Sequence, residues 1–278
     1  MSNAKPQLLA SGQAFPEGPC FDKAGNLYWV NGGSGDISRL TPDGELSCFV
    51  NTGGRPNGAA FAANGDLYVC EPGLDQVIVA HPDASWEVFA SECDAEPLRS
   101  PNDLVFDQFD NFYFTDPGGS GPDNPIGTVH FATPDGQVSK VDGGMQFPNG
   151  IAIGADGKTL TVVETDLRCV WAYDIIEPGV VEHKRMLWQH EDGACMPDGM
   201  AYDSEGNLWV AAFGIGMIIV VSPEGQMIDS YEAGGLRPTN CCFGGPEFST
   251  LYITEAETNA VYALEAGVTG QKLFPELL

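Results

Sequence analysis

Six oxygen-bearing side chains recur at the same place in a repeated three-residue phrase. The phrases are Pro16-Glu17-Gly18, Pro56-Asn57-Gly58, Pro101-Asn102-Asp103, Pro148-Asn149-Gly150, Pro197-Asp198-Gly199 and Pro238-Thr239-Asn240. Their middle residues stand 40, 45, 47, 49 and 41 positions apart, a blade-like repeat period. Equivalent residues of a closed repeat surround a common axis, so Glu17, Asn57, Asn102, Asn149, Asp198 and Thr239 are expected to form one ring. Burying Glu17 and Asp198 there without a counter-charge would cost several kcal/mol and push their pKa values upward. A divalent cation removes that cost: the two carboxylates balance its charge, and the amide oxygens of Asn102 and Asn149 complete the shell. All-oxygen ligation suits Ca²⁺, Mg²⁺ or Mn²⁺ better than a structural zinc site. One divalent cation is therefore expected, Ca²⁺ first, with Mg²⁺, Mn²⁺ or Zn²⁺ as the other ions. Asn57 and Thr239 are weaker donors, expected to line the channel or hold water.

The elements that must present this ring are short. After each phrase comes an apolar run such as Leu104-Val105-Phe106 or Ile151-Ala152-Ile153, then a turn, then a second run such as Leu27-Tyr28-Trp29-Val30 or Phe112-Tyr113-Phe114. These runs are rich in β-branched and aromatic residues and too short for helices, so they read as strands joined by tight hairpins. Thr41-Pro42-Asp43-Gly44, Thr133-Pro134-Asp135-Gly136 and Ser222-Pro223-Glu224-Gly225 suit β-turns between third and fourth strands. Four antiparallel strands, six times over, predict an all-β, six-bladed β-propeller with its metal site on the central axis. One domain spanning 1–278 is expected, and the N-terminal segment 1–14, with Gln7-Leu8-Leu9-Ala10, would add an outer strand to the last blade. A β-sandwich does not require six matched phrases.

The end of each second strand returns to the face that bears the ring. Glu71, Asp116, Glu164 and Glu255 stand at such ends. Asp116, just after the Asn102 hairpin, is expected to take a functional role; Glu71 and Glu255 read equally as functional or as solvated loop acids. Phe15, Met145, Phe147, Met196 and Phe213 lie close to ring phrases and would either make the mouth apolar or pack the core. His81, His130, His183 and His190 lack zinc-motif spacing, and there is neither a Gly-x-Ser-x-Gly elbow nor a phosphate loop. A serine-hydrolase mechanism is unsupported.

Against 39 acidic residues stand only 12 Lys and Arg, a formal charge of −27. Such a surface repels nucleic acid and anionic membranes. Met1 to Gln13 lacks the apolar core of a signal peptide, and no stretch approaches the roughly 20 apolar residues of a membrane span. A cytoplasmic protein is expected, without nucleic-acid or membrane partners, and its eight cysteines as free thiols rather than a disulfide framework. Oligomeric state is left open.

From about Phe15 to Ala266 the chain resembles the gluconolactonase / regucalcin / luciferin-regenerating-enzyme family. The resemblance is carried by Glu17-Gly18-Pro19, by Ser100-Pro101-Asn102-Asp103-Leu104 with Phe114-Thr115-Asp116-Pro117, by Pro148-Asn149-Gly150 and by Pro197-Asp198-Gly199-Met200. Phe243-Gly244-Gly245-Pro246 and Leu251-Tyr252-Ile253-Thr254 add to it near the end. It implies a six-bladed propeller with one catalytic divalent metal, held by Glu17, Asn149 and Asp198. It puts Asn102 at the metal or on the substrate, puts Asp116 at the substrate mouth, and implies hydrolysis of sugar lactones. Where relatives nearer regucalcin have an arginine two residues before the asparagine, this chain has Ser100, with Arg99 one residue further back; the Ser-Pro-Asn-Asp form is similar to the bacterial gluconolactonase branch.

The expected reaction is therefore metal-assisted opening of a small-molecule sugar (aldono)lactone. Asp198 is the first choice of general base and Asp116 the second, with Asn102, Asp116 and Arg99 on the substrate. Two rivals remain: metal-dependent hydrolysis of organophosphate or other esters (or lyase chemistry) at the same site, and a non-enzymatic calcium-binding propeller that serves as a platform.

Overall fold

Each second strand is an unbroken apolar run because both of its faces are covered. Tyr28 and Val30 turn toward one neighbouring sheet, whereas Leu27 and Trp29 turn toward the other. Phe112 and Phe114 likewise face one way, and Tyr113 the other. This is the period-two alternation of a strand sandwiched between layers. The computed structural model describes residues 4–191 and 193–274; the expected domain limits at 1 and 278 lie outside them.

Six four-stranded antiparallel sheets, the blades, follow one another along the chain. Blade 1 consists of Pro16–Phe21, Leu27–Asn31, Asp36–Leu40 and Leu46–Asn51. Ala59–Phe61, Leu67–Glu71, Gln76–Ala80 and Trp86–Ala90 make blade 2. Blade 3 has Leu104–Phe106, Phe112–Asp116, Gly127–Ala132 and Val138–Met145. In blade 4 come Pro148–Ile153, Thr159–Glu164, Cys169–Glu177 and Val180–Gln189. Met196–Tyr202, Leu208–Phe213, Met217–Val221 and Met227–Glu232 form blade 5. Blade 6 takes Pro238–Gly244, Thr250–Glu255 and Ala260–Glu265, and its fourth strand is Gln7–Ser11 from the other end of the chain. Among the described residues no helix is long and apolar enough to cross a membrane.

The core is a ring of interfaces rather than a single centre. Among the described residues six apolar clusters occur, one between each pair of adjacent blades, including blades 6 and 1. Burying a side chain such as Phe114 or Trp29 contributes about 1.5–3 kcal/mol, and both are fully buried. The molecule is a closed six-bladed β-propeller.

Four of the six innermost strands bulge where they pass the axis. Strand pairing slips between Glu17 and Cys20, between Pro148 and Ile151, between Pro197 and Met200, and between Pro238 and Asn240. An extra residue in one strand bends it and re-aims its side chains, and here the slip falls on the ring phrase. Below the ring an axial cavity of about 100 Å³ runs between the inner strands. Gln271 lies across its far end, its Nε2 donating to Ile153 O at 2.9 Å and its backbone N–H to Tyr202 O at 3.0 Å.

Candidate functional site

The phrases are stitched to one another around the axis. Thr115 Oγ1 donates to Asn149 O at 2.7 Å, Thr165 Oγ1 to Pro197 O at 2.8 Å, and Thr239 Oγ1 to Pro16 O at 2.7 Å. Asn57 Nδ2 donates to Asn102 O at 3.1 Å. Each bond joins one blade to a carbonyl of the next blade's phrase, so the ring's position is set by backbone. Thr239 and Asn57 belong to this stitching. A second constraint is contact: a Cβ on Gly199 would collide with the Asn240 side chain, and one on Gly18 with Asn57 O.

Glu17, Asn102, Asn149 and Asp198 are left to face the axis. Glu17 and Asn149 are buried, whereas Asn102 and Asp198 are half-buried. Asn149 Nδ2 donates to Thr165 Oγ1 at 3.2 Å, which leaves its amide oxygen free. Both Asn149 Oδ1 and Asn102 Oδ1 are buried without any hydrogen-bond donor. Burial pushes the Glu17 carboxyl well above the usual range, and the charges of Asp198 and Asp103 push it further. Asp198 is likewise raised by burial and by Asp103, partly relieved by hydrogen bonds from Asn149 and the Gly199 backbone. Among the described residues no three His, Cys, Asp or Glu side chains cluster to hold a metal; the set is two carboxylates and two amide oxygens. That donor set fits a hard divalent cation, because acceptor-only oxygens with no proton to accept are what such an ion satisfies.

Asp103 and Asn240 lie outside the repeated middle positions yet meet at the axis. They occupy the third place of their phrases, where the other four phrases have glycine. Asn240 Nδ2 donates to Asp103 Oδ2 at 3.3 Å across the axis, between blades 3 and 6. Burial lifts the Asp103 carboxyl to about 7. The signal was present in the phrase itself, as the two departures from glycine.

The acids that end the second strands are neither solvated nor free. Asp116, buried, accepts the backbone N–H of Arg99 at 2.9 Å and of Ser100 at 2.8 Å, one on each oxygen. Glu71 accepts the Arg55 amide, Glu164 the Gln146 amide, and Glu255 the Arg237 amide at 2.7 Å. In blade 1, Asn31 Oδ1 accepts from Ala14 at 3.2 Å. In five blades, then, the strand-end side chain latches the segment that leads into its own ring phrase. Glu71 and Asp116 are both raised by burial, a penalty these amides offset. Arg99, expected on the substrate, is held here by its backbone and has an exposed side chain. Phe15 and Phe147, just ahead of their phrases, have left-handed backbone, with φ of 55° and 60°. Phe15 and Met196 are exposed and Phe147 half-buried, whereas Met145 is core.

Residues 15–257 match the SMP-30/Gluconolactonase/LRE-like region. The chain is 32% identical to diisopropyl-fluorophosphatase of Loligo vulgaris, over 94% of this chain and 92% of that protein. It is 27% identical to gluconolactonase of Zymomonas mobilis, over 89% of this chain and 78% of that one. The structure of a gluconolactonase from Xanthomonas campestris, 24% identical, has the same fold, with a TM-score of 0.84 over 95% of this chain and 90% of the other.

Proposed function

The chain belongs to the SMP-30/gluconolactonase/LRE-like family, and from that premise we propose that it is a hydrolase that opens a sugar lactone with a divalent cation at its axis. The observation that carries the proposal is the donorless amide oxygen of Asn149 next to the mutually repelling carboxyls of Glu17 and Asp198, with a second donorless amide oxygen, Asn102 Oδ1, at the equivalent place of blade 3. These four side chains would hold the cation, Ca²⁺ by preference for an all-oxygen set. When bound, the ion supplies Lewis-acid polarisation of the ester carbonyl and stabilises the charge that develops on its oxygen.

The protein's own part is positioning and proton transfer. Asp198 is the more exposed of the two carboxylates, and it accepts the proton of the attacking water. A bond forms from the water oxygen to the carbonyl carbon and the acyl–oxygen bond of the ring breaks. The proton passes to the departing ring oxygen, leaving a hydroxy acid. Asp116 acts as a positioning residue, because both of its oxygens hold the segment that leads to Asn102. Asn102 meets the ion or the substrate from that segment.

The test is a lactone panel followed by proton release, on chelated protein with Ca²⁺, Mg²⁺, Mn²⁺ or Zn²⁺ restored singly. Turnover should return with a restored ion, and Asp198→Asn should lower it about a hundredfold or more. Full activity after chelation would overturn the role of the ion, and near-normal turnover of Asp198→Asn with normal metal content would overturn its role as base. A second reading, hydrolysis of a phosphorus ester, is favoured by the exposed apolar side chains Phe15, Leu74 and Leu236 on loops of the ring face and Met196 at the start of its strand, and by the relative that is a fluorophosphatase. A fluorophosphate ester in the same panel reads it directly.

A further inference from the structure

We propose that the substrate carries an anionic group apart from its scissile ester, and that Arg55, Arg99 and Arg237 at the mouth receive it. The chemistry rests on the lactone-hydrolase reading; the placement of the arginines does not.

Cations are scarce in this chain, and their distribution is uneven. Of its six arginines, four (Arg55, Arg99, Arg168 and Arg237) lie on segments of the ring face. Three of these are equivalent in the repeat, standing two or three residues ahead of Asn57, Asn102 and Thr239. Each has its backbone N–H held by a buried strand-end acid: Arg55 by Glu71, Arg99 by Asp116 and Arg237 by Glu255. The side-chain stems are also supported. A Cβ on Gly73 would lie 2.9 Å from Arg55 Cβ, and one on Gly118 would lie 2.9 Å from Arg99 Cβ and 3.0 Å from its Cδ. Glycine at these two places leaves the stems their course. The Arg237 guanidinium lies 5.8 Å from the Phe213 ring centroid.

All three side chains are exposed, and among the described residues none is within ion-pair distance of a carboxylate, although the charges of Arg55 and Arg99 reach the buried Glu71 and Asp116 and hold those carboxyls lower than burial alone would. The Lys and Arg ion pairs found there, Lys184–Asp142 and Arg185–Asp174, are on outer strands. In a chain with 39 acids, three guanidiniums whose backbones are held on one face, and whose exposed heads make no direct ion pair, have donors left for a partner from solution. A neutral lactone gives them none. An anion approaching a protein of charge −27 is repelled everywhere except where local positive charge offsets the field. Guanidinium is suited to carboxylate or phosphate by its planar, bidentate donors. The substrate class is thus a lactone with an oxyanion, a carboxylate or a phosphate, on its far carbon.

The experiment compares an aldonolactone with analogues bearing a carboxylate or a phosphate at the far end, at low and raised ionic strength. An anionic analogue should exceed the neutral parent about tenfold in kcat/KM, chiefly through KM, with the excess shrinking as salt rises. The paired substitution Arg55→Gln with Arg237→Gln should remove most of that ratio, and lysine at both positions should restore part of it. A ratio of one or below, or a ratio indifferent to salt and to the substitutions, overturns the inference. Calorimetry on the metal-loaded protein, with a ring-opened aldonate and the matching dicarboxylate, separates the two readings. If no lactone is opened but the dicarboxylate binds more tightly and loses that advantage in the variant, the anion site stands and the lactonase reading falls. If the neutral lactone is opened and the dicarboxylate binds no better than the aldonate, the lactonase reading stands and the arginine assignment falls.

Discussion

His130 stacks on Phe114 and holds Thr128 Oγ1 at 2.8 Å through Nε2, while its buried Nδ1 has no partner. Burial keeps this imidazole neutral, down to about 4; Lys140 and Arg99 reinforce the effect and Asp94 opposes it. Below pH 6.5 the unfolded chain takes up a proton that the folded protein refuses until about 4. The contribution of His130 to stability should therefore fall as pH drops through that window, by about 3 kcal/mol once below it, while the raised carboxyls of Glu17, Asp103 and Asp198 contribute in the opposite sense. His130→Gln keeps an amide for Thr128 and removes the titration. Urea unfolding of both proteins at neutral pH and near pH 4.5 should show the variant losing less stability on acidification; an equal loss would refute the assignment. At this scale the placement of Glu17, Asn102, Asn149 and Asp198 at equivalent points of four blades was legible, because the repeated phrase fixes it. Asp103 and Asn240 show in the sequence only as departures from glycine at the third place, which does not reveal that they meet across the axis. The work of Glu71 and Glu255 was invisible, because an acid at a strand end looks the same whether its oxygens meet water or an amide.

At the scale of the element, the inner strand does two jobs that conflict: it must pair with its neighbour, and it must turn a side chain to the axis. The slips at Glu17, Asn149, Asp198 and Thr239 reconcile them, and the glycine that follows the first three allows the next blade's strand to come close. Gly199 lies against Asn240 so tightly that a methyl group cannot be added without moving it. Gly199→Ala should lower stability by about 2 kcal/mol or more and weaken metal binding as well. Gly206, in a lower turn with φ of +84° and open space to Pro223 at 3.6 Å, is the matched control. Gly206→Ala should cost about 1 kcal/mol of backbone strain and leave metal affinity as it is. Denaturant midpoints and metal titrations of both variants decide the matter, and normal metal affinity in Gly199→Ala would detach the phrase contact from the site. Strands and turns were legible from apolar runs and from sequences such as Thr133-Pro134-Asp135-Gly136, which makes its turn with Gly136 N–H donating to Thr133 O at 2.9 Å. The slips were not, for an extra residue in a strand leaves no mark of its own in the sequence.

At the scale of the whole molecule, stability depends on closure. The first strand, Gln7–Ser11, pairs with Ala260–Glu265, and blade 6 packs on blade 1 around Trp29, Cys242 and Val261. Deleting residues up to Ser11 removes that strand and uncovers Ala10's place in the cluster. The calorimetric transition should fall by roughly 5–10 °C, and an unchanged transition would mean that the ring closes without it. Six blades were legible from period alone, yet period could not tell which blade gives which group. That assignment has a consequence beyond stability. The blades are interchangeable as masonry and not as letters: Glu, Asn, Asn and Asp each come from a different one, in a fixed order. A ring cast from six copies of any single blade would reproduce the architecture and spell nothing, so the divergence among repeats, rather than the repeat, is the heritable part of the chemistry.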